Sequence, residues 1–305
     1  MTVTNSGTAP LDISGISSDN TDITITPANA TVAPGTTQTF DISFDPTLTG
    51  SVSASISFTH DAECIPTVLT VTGHGVSSSY QVLNTGVVKH LTGVSFIDGL
   101  RGCVTGHDGT VLFTIDGGAT WTPAHINCGC HLHGVQFVGN RAFFTGSGGH
   151  ICHTDDFGQT YYPYVTNTTA TFYASSFFSA TLGWAVGSGG TICIFDGVNW
   201  SPQPTGVSIT FYGVYAIGGT AYAVGEQGTV CKYVNGGWVP VNPGVTNIFY
   251  ATAFVNESFG YIVGSGGIIC RTRDGGVSWE PLISGVTVDF KACKVVSPRI
   301  AYCVG

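Results

Sequence analysis

From about residue 80 to the end of the chain, apolar runs alternate with glycine turns at a nearly constant interval. One unit contains a Gly-x-x-Gly turn, an apolar run with β-branched residues, an Asp-Gly turn and an aromatic residue, as in GHDGTVLFTIDGGATW. The glycines that mark successive units are Gly106, Gly146, Gly187, Gly225, Gly264 and Gly305. Their spacing of about 40 residues is the length of a four-stranded blade, so the pattern predicts an all-β chain with a β-propeller.

Each blade is expected to begin with an apolar residue at the start of its first strand. These residues are Leu91, Leu132, Phe172, Phe211, Phe249 and Phe290. Six blades are therefore visible, and the last is incomplete because the chain stops after its second strand. We interpret the propeller, residues 78–305, as incomplete at its C-terminus. Residues 80–87 resemble a fourth strand, and such a strand would close the ring by completing the last blade.

A second column of residues marks the turn between the third and fourth strands. It consists of Asp116, Asp156, Asp196, Asn235 and Asp274. The carboxylate is expected to accept backbone N–H bonds across the turn, and glycine supplies the positive φ. These motifs resemble the Asp-box (BNR) repeats of sialidases and, more closely, the photosystem II stability and assembly factor family, over about residues 80–305. The family that it resembles commonly closes with seven blades, which keeps the total number of blades open between six and seven. The resemblance implies little about function.

Residues 1–77 follow a different pattern, in which apolar and polar residues alternate between Gly, Pro and Asn turns. This alternation predicts an antiparallel β-sandwich. The phrases TNSGTAPLDIS, VAPGTTQTFDISFDPT and VTGHG resemble the Hydin-type (choice-of-anchor D) immunoglobulin-like domain. In that family another strand usually precedes the first phrase, so we expect this domain to be truncated at its N-terminus.

The composition narrows the classes of partner. The chain has 9 Lys and Arg against 18 Asp and Glu, for a net charge of −9, which argues against nucleic acid or an anionic membrane surface. No apolar run approaches the roughly 20 residues that a membrane span needs. The remaining partners are proteins or glycans, together with further domains of the same polypeptide.

Four of the ten cysteines occupy one position of the repeat. They are Cys152, Cys193, Cys231 and Cys270, and Leu112 fills the same position in the first blade. A position that accepts Leu or Cys is expected to be buried and apolar. Equivalent strands of neighbouring blades are about 10 Å apart, too far for a disulfide.

Polar and aromatic residues gather next to the first-strand column, at the expected mouth of the central channel. The candidate ligand-binding residues are His90, His133, Tyr173, Tyr212, Tyr250 and Lys291. Such a group suits a sugar ring, a peptide or a loop of a partner. The alternative is that the tyrosines pack between blades and only their hydroxyls reach the rim.

The longest link between blades carries the sharpest local motif. Cys128, Cys130, His131 and His133 are candidate ligands for zinc or copper, with His107 and His150 expected on the same face. Cys-x-Cys with a nearby histidine is not a standard spacing, and a disulfide or a polar loop with two free thiols explains the motif as well. The default expectation is therefore no cofactor.

A sialidase-like glycosidase is the catalytic alternative, and the sequence disfavours it. Such an enzyme needs an arginine cluster, an acid and a Tyr/Glu nucleophile pair, whereas Arg101, Arg141 and Arg299 recur near the Asp-Gly turns. The chain is thus predicted to be non-catalytic. The first hypothesis is part of a large secreted or cell-surface bacterial protein in adhesion or surface assembly, exported by a system such as type IX. The second is an exported assembly factor that holds a client protein.

Overall fold

The computed structural model describes residues 1–45, 50–62, 67–75, 82–126, 128–297 and 300–305. The chain divides into two compact units, Met1–Val82 and Leu83–Gly305. The boundary that the sequence predicts, between residues 77 and 78, lies outside the described residues. So do the first two residues of the predicted closing strand, whereas its described part, residues 82–87, is not in a strand.

The N-terminal unit is a sandwich of antiparallel strands. One sheet has four strands, in the order Ala30–Val32, Leu11–Ser18, Gly50–His60 and Thr67–Gly75. Two further pairs are Thr2–Thr4 with Thr37–Thr39 and Ile23–Thr26 with Asp41–Phe44. The apolar residues of the alternating pattern meet in one core, which includes Ile13, Ile23, Phe40, Ile56 and Phe58.

The C-terminal unit contains five four-stranded antiparallel blades, and in each blade the strands follow one another in chain order. Blade 1 has Leu91–Phe96, Gly102–Gly106, Thr110–Thr114 and Thr122–His125; blade 2 has Leu132–Val138, Arg141–Gly146, Ile151–Thr154 and Tyr162–Pro163. Blade 3 has Phe172–Ser179, Leu182–Gly187, Ile192–Phe195 and Trp200–Gln203; blade 4 has Phe211–Ile217, Thr220–Gly225, Val230–Val234 and Gly237–Val241. Blade 5 has Phe249–Phe254, Gly260–Gly264, Ile269–Thr272 and Glu280–Leu282.

A sixth blade contributes two described strands, Ala292–Ser297 and Ile300–Val304. The predicted fold, an immunoglobulin-like sandwich followed by a propeller with six visible blades and an incomplete last one, is therefore confirmed. Short 3-10 turns join the second and third strands in four blades, at His107–Gly109, Ser188–Gly190, Glu226–Gly228 and Ser265–Gly267. Among the described residues, no helix is long and apolar enough to cross a membrane.

The cores of the propeller lie between neighbouring blades. Trp184 and Ile192 of blade 3 pack with Phe211, Cys231 and Trp238 of blade 4, and similar clusters join the other blades. The four cysteines of the repeat column are all buried, unpaired members of these clusters. Burial raises the pKa of their thiols, to about 12 at Cys193 and about 11 at Cys270, so they remain protonated core residues.

The Asp-Gly turns are built from bonds within a few residues. In blade 2, Asp156 accepts hydrogen bonds from the Thr154 hydroxyl at 2.7 Å and from the amide and hydroxyl of Thr160 at 2.9 and 2.6 Å. The Thr154 hydroxyl in turn accepts the Gly158 amide. Asp116 and Asp274 repeat this arrangement. The bonds lower the pKa of each of these three carboxyls to about 2.

The other two turns are simpler. Asp196 accepts the backbone amides of Val198 and Asn199 at 2.9 and 2.7 Å. In blade 4, Asn235 and Gly236 take φ values of 50° and 87° between the paired residues Val234 and Gly237. Positive φ at both central residues is the backbone of a two-residue hairpin turn, which Asn-Gly favours.

Candidate functional site

The first strand of each complete blade contains a β-bulge next to its opening apolar residue. In blade 3, Phe172 pairs with Gly187 and Ala174 pairs with Val186, which leaves Tyr173 unpaired between them. The unpaired residues of the five blades are Thr92, His133, Tyr173, Tyr212 and Tyr250. A bulge redirects a side chain, so these five positions are placed alike next to the Gly-x-x-Gly turns.

Four of the redirected side chains and Lys291, which holds the same position in the sixth blade, form one continuous row. We call this row the aromatic ladder: His133, Tyr173, Tyr212, Tyr250 and Lys291. The successive ring centroids are 5.1, 5.3 and 5.5 Å apart. The Lys291 Nζ lies 3.5 Å from the centroid of the Tyr250 ring. The four rings are half-buried, so the ladder offers aromatic edges and hydroxyls to a partner. The rings pack against those of neighbouring blades, as the second interpretation of the sequence expects. Ligand binding at these residues stays a prediction.

Two carboxylates form hydrogen bonds with the part of the ladder from Tyr212 to Lys291. Glu226 accepts the Tyr212 hydroxyl at 3.2 Å and the Thr210 amide at 2.9 Å. Burial, and next the charge of Glu226, raise the pKa of Tyr212. Asp289 is 2.9 Å from Lys291 Nζ and 3.4 Å from the Tyr250 hydroxyl. The bond from Lys291 is the largest cause that lowers the pKa of Asp289.

Three further histidines, which we call the histidine group, lie at the end of the ladder that begins with His133: His90, His107 and His131. The His107 ring contacts the tilted rings of His90 and His131, with centroid distances of 5.4 and 4.5 Å. The Nδ1 of His131 accepts the amide of Asp108 at 3.1 Å, and Asp108 pairs with Lys89 at 2.6 Å. Burial, and next the charges of His107 and His131, lower the pKa of His133. Of the predicted binding residues, His90 thus belongs to the histidine group, and the other five form the ladder.

The structure rearranges the predicted metal ligands. Cys128 and Cys130 are joined in a disulfide, with their Cα atoms 5.1 Å apart. Ligand atoms of Cys128, Cys130 and His150 all lie within 4.8 Å of one another, whereas His131 and His133 make the contacts described above. In the described part of the chain, the four predicted residues are therefore not a single group, and His150 takes the place of the other two histidines.

Sequence reasoning did not assign a role to Glu226. It placed His150 on the same face as Cys128 and Cys130, although not among the four candidate ligands, and the structure brings His150 beside their disulfide. Both residues differ from those of the other blades at their positions, which is a sequence signal for each of them. Glu226 stands where Ser188 and Ser265 begin the 3-10 turn. His150 follows the second glycine of its turn, where three other blades have Thr.

Three of the described arginines form ion pairs in three different blades. Arg101 pairs with Asp98, Arg141 with Asp155 and Arg271 with Glu280, each within its own blade. Arg299, the third of the recurring arginines, lies outside the described residues. Exposed pairs of this kind contribute little to stability, and the three side chains do not provide the cluster that a sialidase-like glycosidase needs.

Two family models match the chain. Residues 1–74 match the HYDIN/CFA65/VesB-like, Ig-like domain, and residues 73–166 match the photosynthesis system II assembly factor YCF48. The chain is therefore similar to a HYDIN-like Ig domain over residues 1–74 and to YCF48 over residues 73–166, and we call its propeller YCF48-like for this reason. Both resemblances that the sequence motifs carry are thereby confirmed. No curated protein matches the chain at a significant level.

Two solved structures support a propeller fold. YCF48 bound to D1 peptide is 18% identical, with a TM-score of 0.51, over 73% of this chain and 92% of that chain. The WD40 β-propeller domain of Doa1 is 15% identical, with a TM-score of 0.59, over 70% of this chain and 75% of that chain. At such identities these two likenesses show the fold alone. YCF48 from Cyanidioschyzon merolae is 16% identical, with a TM-score of 0.49, over 72% of this chain and 94% of that chain.

Proposed function

We propose that the YCF48-like propeller is a non-catalytic, protein-binding module of the assembly-factor class, which holds an extended segment of a client protein against the aromatic ladder. The observation that carries this proposal is the unbroken row of half-buried rings from four consecutive blades, His133 to Tyr250. The match of residues 73–166 to the YCF48 model supports it. A structural neighbour of the same family is described as bound to D1 peptide.

The chemistry of the ladder suits a polypeptide. Tyrosine gives a large, rigid contact area at a low cost in conformational entropy, and its hydroxyl donates to or accepts from a peptide backbone. Glu226 and Asp289 hold the rings of Tyr212 and Tyr250 in place before a client binds. Such preorganisation improves affinity because less side-chain freedom is lost on binding.

The proposal reverses the order of the two hypotheses from the sequence. The YCF48 match favours the assembly factor, whereas adhesion and surface assembly have no further support. The secreted or cell-surface location, export by a system such as type IX, glycan binding and the lack of catalysis stay predictions.

Selection of peptides from a random display library tests the proposal directly. The purified chain is the bait, and the selected peptides are then measured by fluorescence anisotropy. We expect Tyr212→Ala to weaken binding by about tenfold or more, since interface tyrosines are frequent hot spots. Tyr162→Ala is the matched control, because this exposed tyrosine lies in the fourth strand of blade 2, outside the ladder.

Two results would overturn the proposal. One is a library that yields no binder, and the other is a set of peptides that bind the Tyr212→Ala variant as tightly as the unmodified chain. A glycan array probed with the unmodified chain and with the Tyr212→Ala and Tyr162→Ala variants tests carbohydrate binding as the alternative. Glycans that bind the ladder in place of peptides would establish carbohydrate recognition.

A further inference from the structure

Two departures from the propeller repeat meet at one point in space. The link between blades 1 and 2 carries Cys128 and Cys130, whereas the later links between complete blades contain no cysteine. Only blade 2 places a histidine, His150, directly after the second glycine of its turn. The equivalent residues of the other blades are Thr110, Thr191, Thr229 and Ile268. The three exceptional side chains bring their ligand atoms within 4.8 Å of one another.

The site is built into the propeller. The Cys130 carbonyl accepts the amide of Gly109 at 2.9 Å, which ties the link to the turn of blade 1. The half-buried Cys128 and Cys130 pack against the core between blades 1 and 2, which contains Ile126 and Leu132. The position of both sulfur atoms is therefore set by two neighbouring blades.

Two observations show that the atoms around the disulfide are suited to bind a metal. The buried Nε2 of His150 has no hydrogen-bond partner among the described residues, so in the neutral ring a nitrogen remains free to bind a metal. The Cys130 amide donates to Cys128 Sγ at 3.2 Å. A bond of this kind stabilises a thiolate, which is the form of cysteine that binds metals.

We propose that Cys128, Cys130 and His150 form a redox-controlled zinc site, which is closed by the disulfide and opened by its reduction. A dithiol reductant supplies two electrons and two protons, breaks the S–S bond and leaves as its own disulfide. The two resulting thiols then release their protons to solvent as Zn²⁺ binds. The metal is held by the two Sγ atoms and a ring nitrogen of His150, with water as the fourth ligand.

The donor set and its size agree with zinc. Two thiolates and one imidazole with an open fourth position are an established zinc coordination. Zinc–ligand bonds of about 2.0–2.3 Å in a tetrahedron require ligand atoms roughly 3.3–3.8 Å apart. This separation falls inside the 4.8 Å limit of the group, so only the sulfur atoms have to separate when the disulfide opens.

Zinc binding to the reduced chain tests the inference. The chain is reduced with a phosphine, desalted and titrated with zinc in equilibrium dialysis, with metal measured by mass spectrometry. We expect one zinc per reduced chain and none per oxidised chain. Cys128→Ser/Cys130→Ser should weaken the affinity by more than about 100-fold, because loss of an outer-shell partner alone costs about 10–100-fold.

Matched controls are present in the same propeller. Cys293 and Cys303 are free cysteines that lie opposite each other on two neighbouring strands of the sixth blade. The Cys293→Ser/Cys303→Ser variant should therefore bind zinc as the unmodified chain does. His107→Ala should also leave zinc binding unchanged, because the His107 ring contacts His131 and not the disulfide group. His150→Ala should weaken zinc binding at least about tenfold.

A measurement on the unmodified chain avoids variants that fail to fold. Zinc should protect Cys128 and Cys130 from alkylation by iodoacetamide in the reduced chain, as mapped by peptide mass spectrometry. Reduced chain that takes up no zinc, or zinc that leaves both thiols open to alkylation, would show that the disulfide is purely structural. Full affinity in the His150→Ala variant would also overturn the three-ligand assignment.

Discussion

The two ends of each blade use the same repeat in different ways. At the Asp-Gly turn the carboxylate is bonded locally, since Asp156 accepts its bonds from Thr154 and Thr160 of the same turn. The turn backbone also meets another blade, because the Gly275 carbonyl accepts hydrogen bonds from Tyr222 and Lys232 of blade 4. At the bulge end the functional side chains themselves meet, because Tyr212 contacts Tyr173 and Tyr250 from the blades on either side. The carboxylate bonds therefore stabilise each turn locally, and the ladder joins blades into a shared surface.

Substitutions should have different effects at the two ends of a blade. An aspartate that is bonded within its own turn can recur from blade to blade with little dependence on its neighbours. A residue in the ladder acts together with the residues of adjacent blades, so variation there changes a shared surface. The residues at these positions run from Thr92 and His133 through three tyrosines to Lys291.

The largest effect is expected from a glycine where one blade approaches the link to the next. Gly190 has a φ of 75°, and a Cβ there would overlap the carbonyl oxygen of Val207. Gly190→Ala should lower the free energy of unfolding by about 2–4 kcal/mol, measured by urea denaturation. The control is Gly189→Ala, where a Cβ meets nothing within 4 Å at a φ of 64°, with a loss of about 1 kcal/mol. Equal losses in the two variants would contradict the close approach between blade and link.

The pH dependence of unfolding should reveal how much the carboxylates of the Asp-Gly turns contribute to stability. The carboxyls of Asp116, Asp156 and Asp274 have pKa values lowered to about 2 from 3.8. Their contribution to stability is therefore complete above about pH 4 and is lost as the pH falls through 2. The triple Asp→Asn variant should unfold at a lower temperature than the unmodified chain at pH 7, and the difference should shrink towards pH 2.

The same variants test the independence of the turns. The shifts in unfolding temperature of Asp116→Asn and Asp274→Asn are expected to add in the double variant, because distant sites without shared partners behave independently. A clear departure from additivity would mean that the turns communicate and would remove the contrast between the two ends.

Neighbouring rungs of the ladder should instead be coupled. A double-mutant cycle of Tyr212→Ala and Tyr250→Ala is expected to give a coupling energy of about 0.5–1.5 kcal/mol, since their rings are in contact. The control cycle pairs Tyr173 with Tyr250, which are two rungs apart, and should give less than about 0.5 kcal/mol. Similar values from both cycles would show that the ladder is not a chain of pairwise contacts.

The smallest effect concerns the bond that holds one rung. Tyr212→Phe keeps the ring and removes the bond from its hydroxyl to Glu226, so we expect a loss of about 0.5–1 kcal/mol in stability. The ring contacts with Tyr173 and Tyr250 should persist. A second double-mutant cycle, which starts from the Tyr212→Phe variant and replaces residues 212 and 250 by Ala, would measure the contact with Tyr250. A loss as large as that of Tyr212→Ala would place the main interaction in the hydroxyl and not in the ring.

The sequence by itself determined the features whose causes are local. Strand length, the Gly-x-x-Gly turn and the Asp-Gly turn repeat every 40 residues or so, and each depends on residues close together in the chain. The buried cysteine column was predictable for the same reason, because a position that accepts Leu or Cys reports burial directly. The sandwich and the propeller, and the division of the chain into these two parts, therefore follow from pattern alone.

Only the tertiary structure decided how residues from different blades meet. The bulges that redirect His133 and the tyrosines leave no mark in the hydrophobic pattern, and the rings in contact are about one full repeat apart in the chain. From the sequence alone, the two cysteines of the link were compatible with a disulfide, with free thiols and with a metal site. In the structure they form a disulfide, and His150 lies beside it. Contacts between blades depend on the rotation and spacing of whole sheets, which no short stretch of sequence encodes.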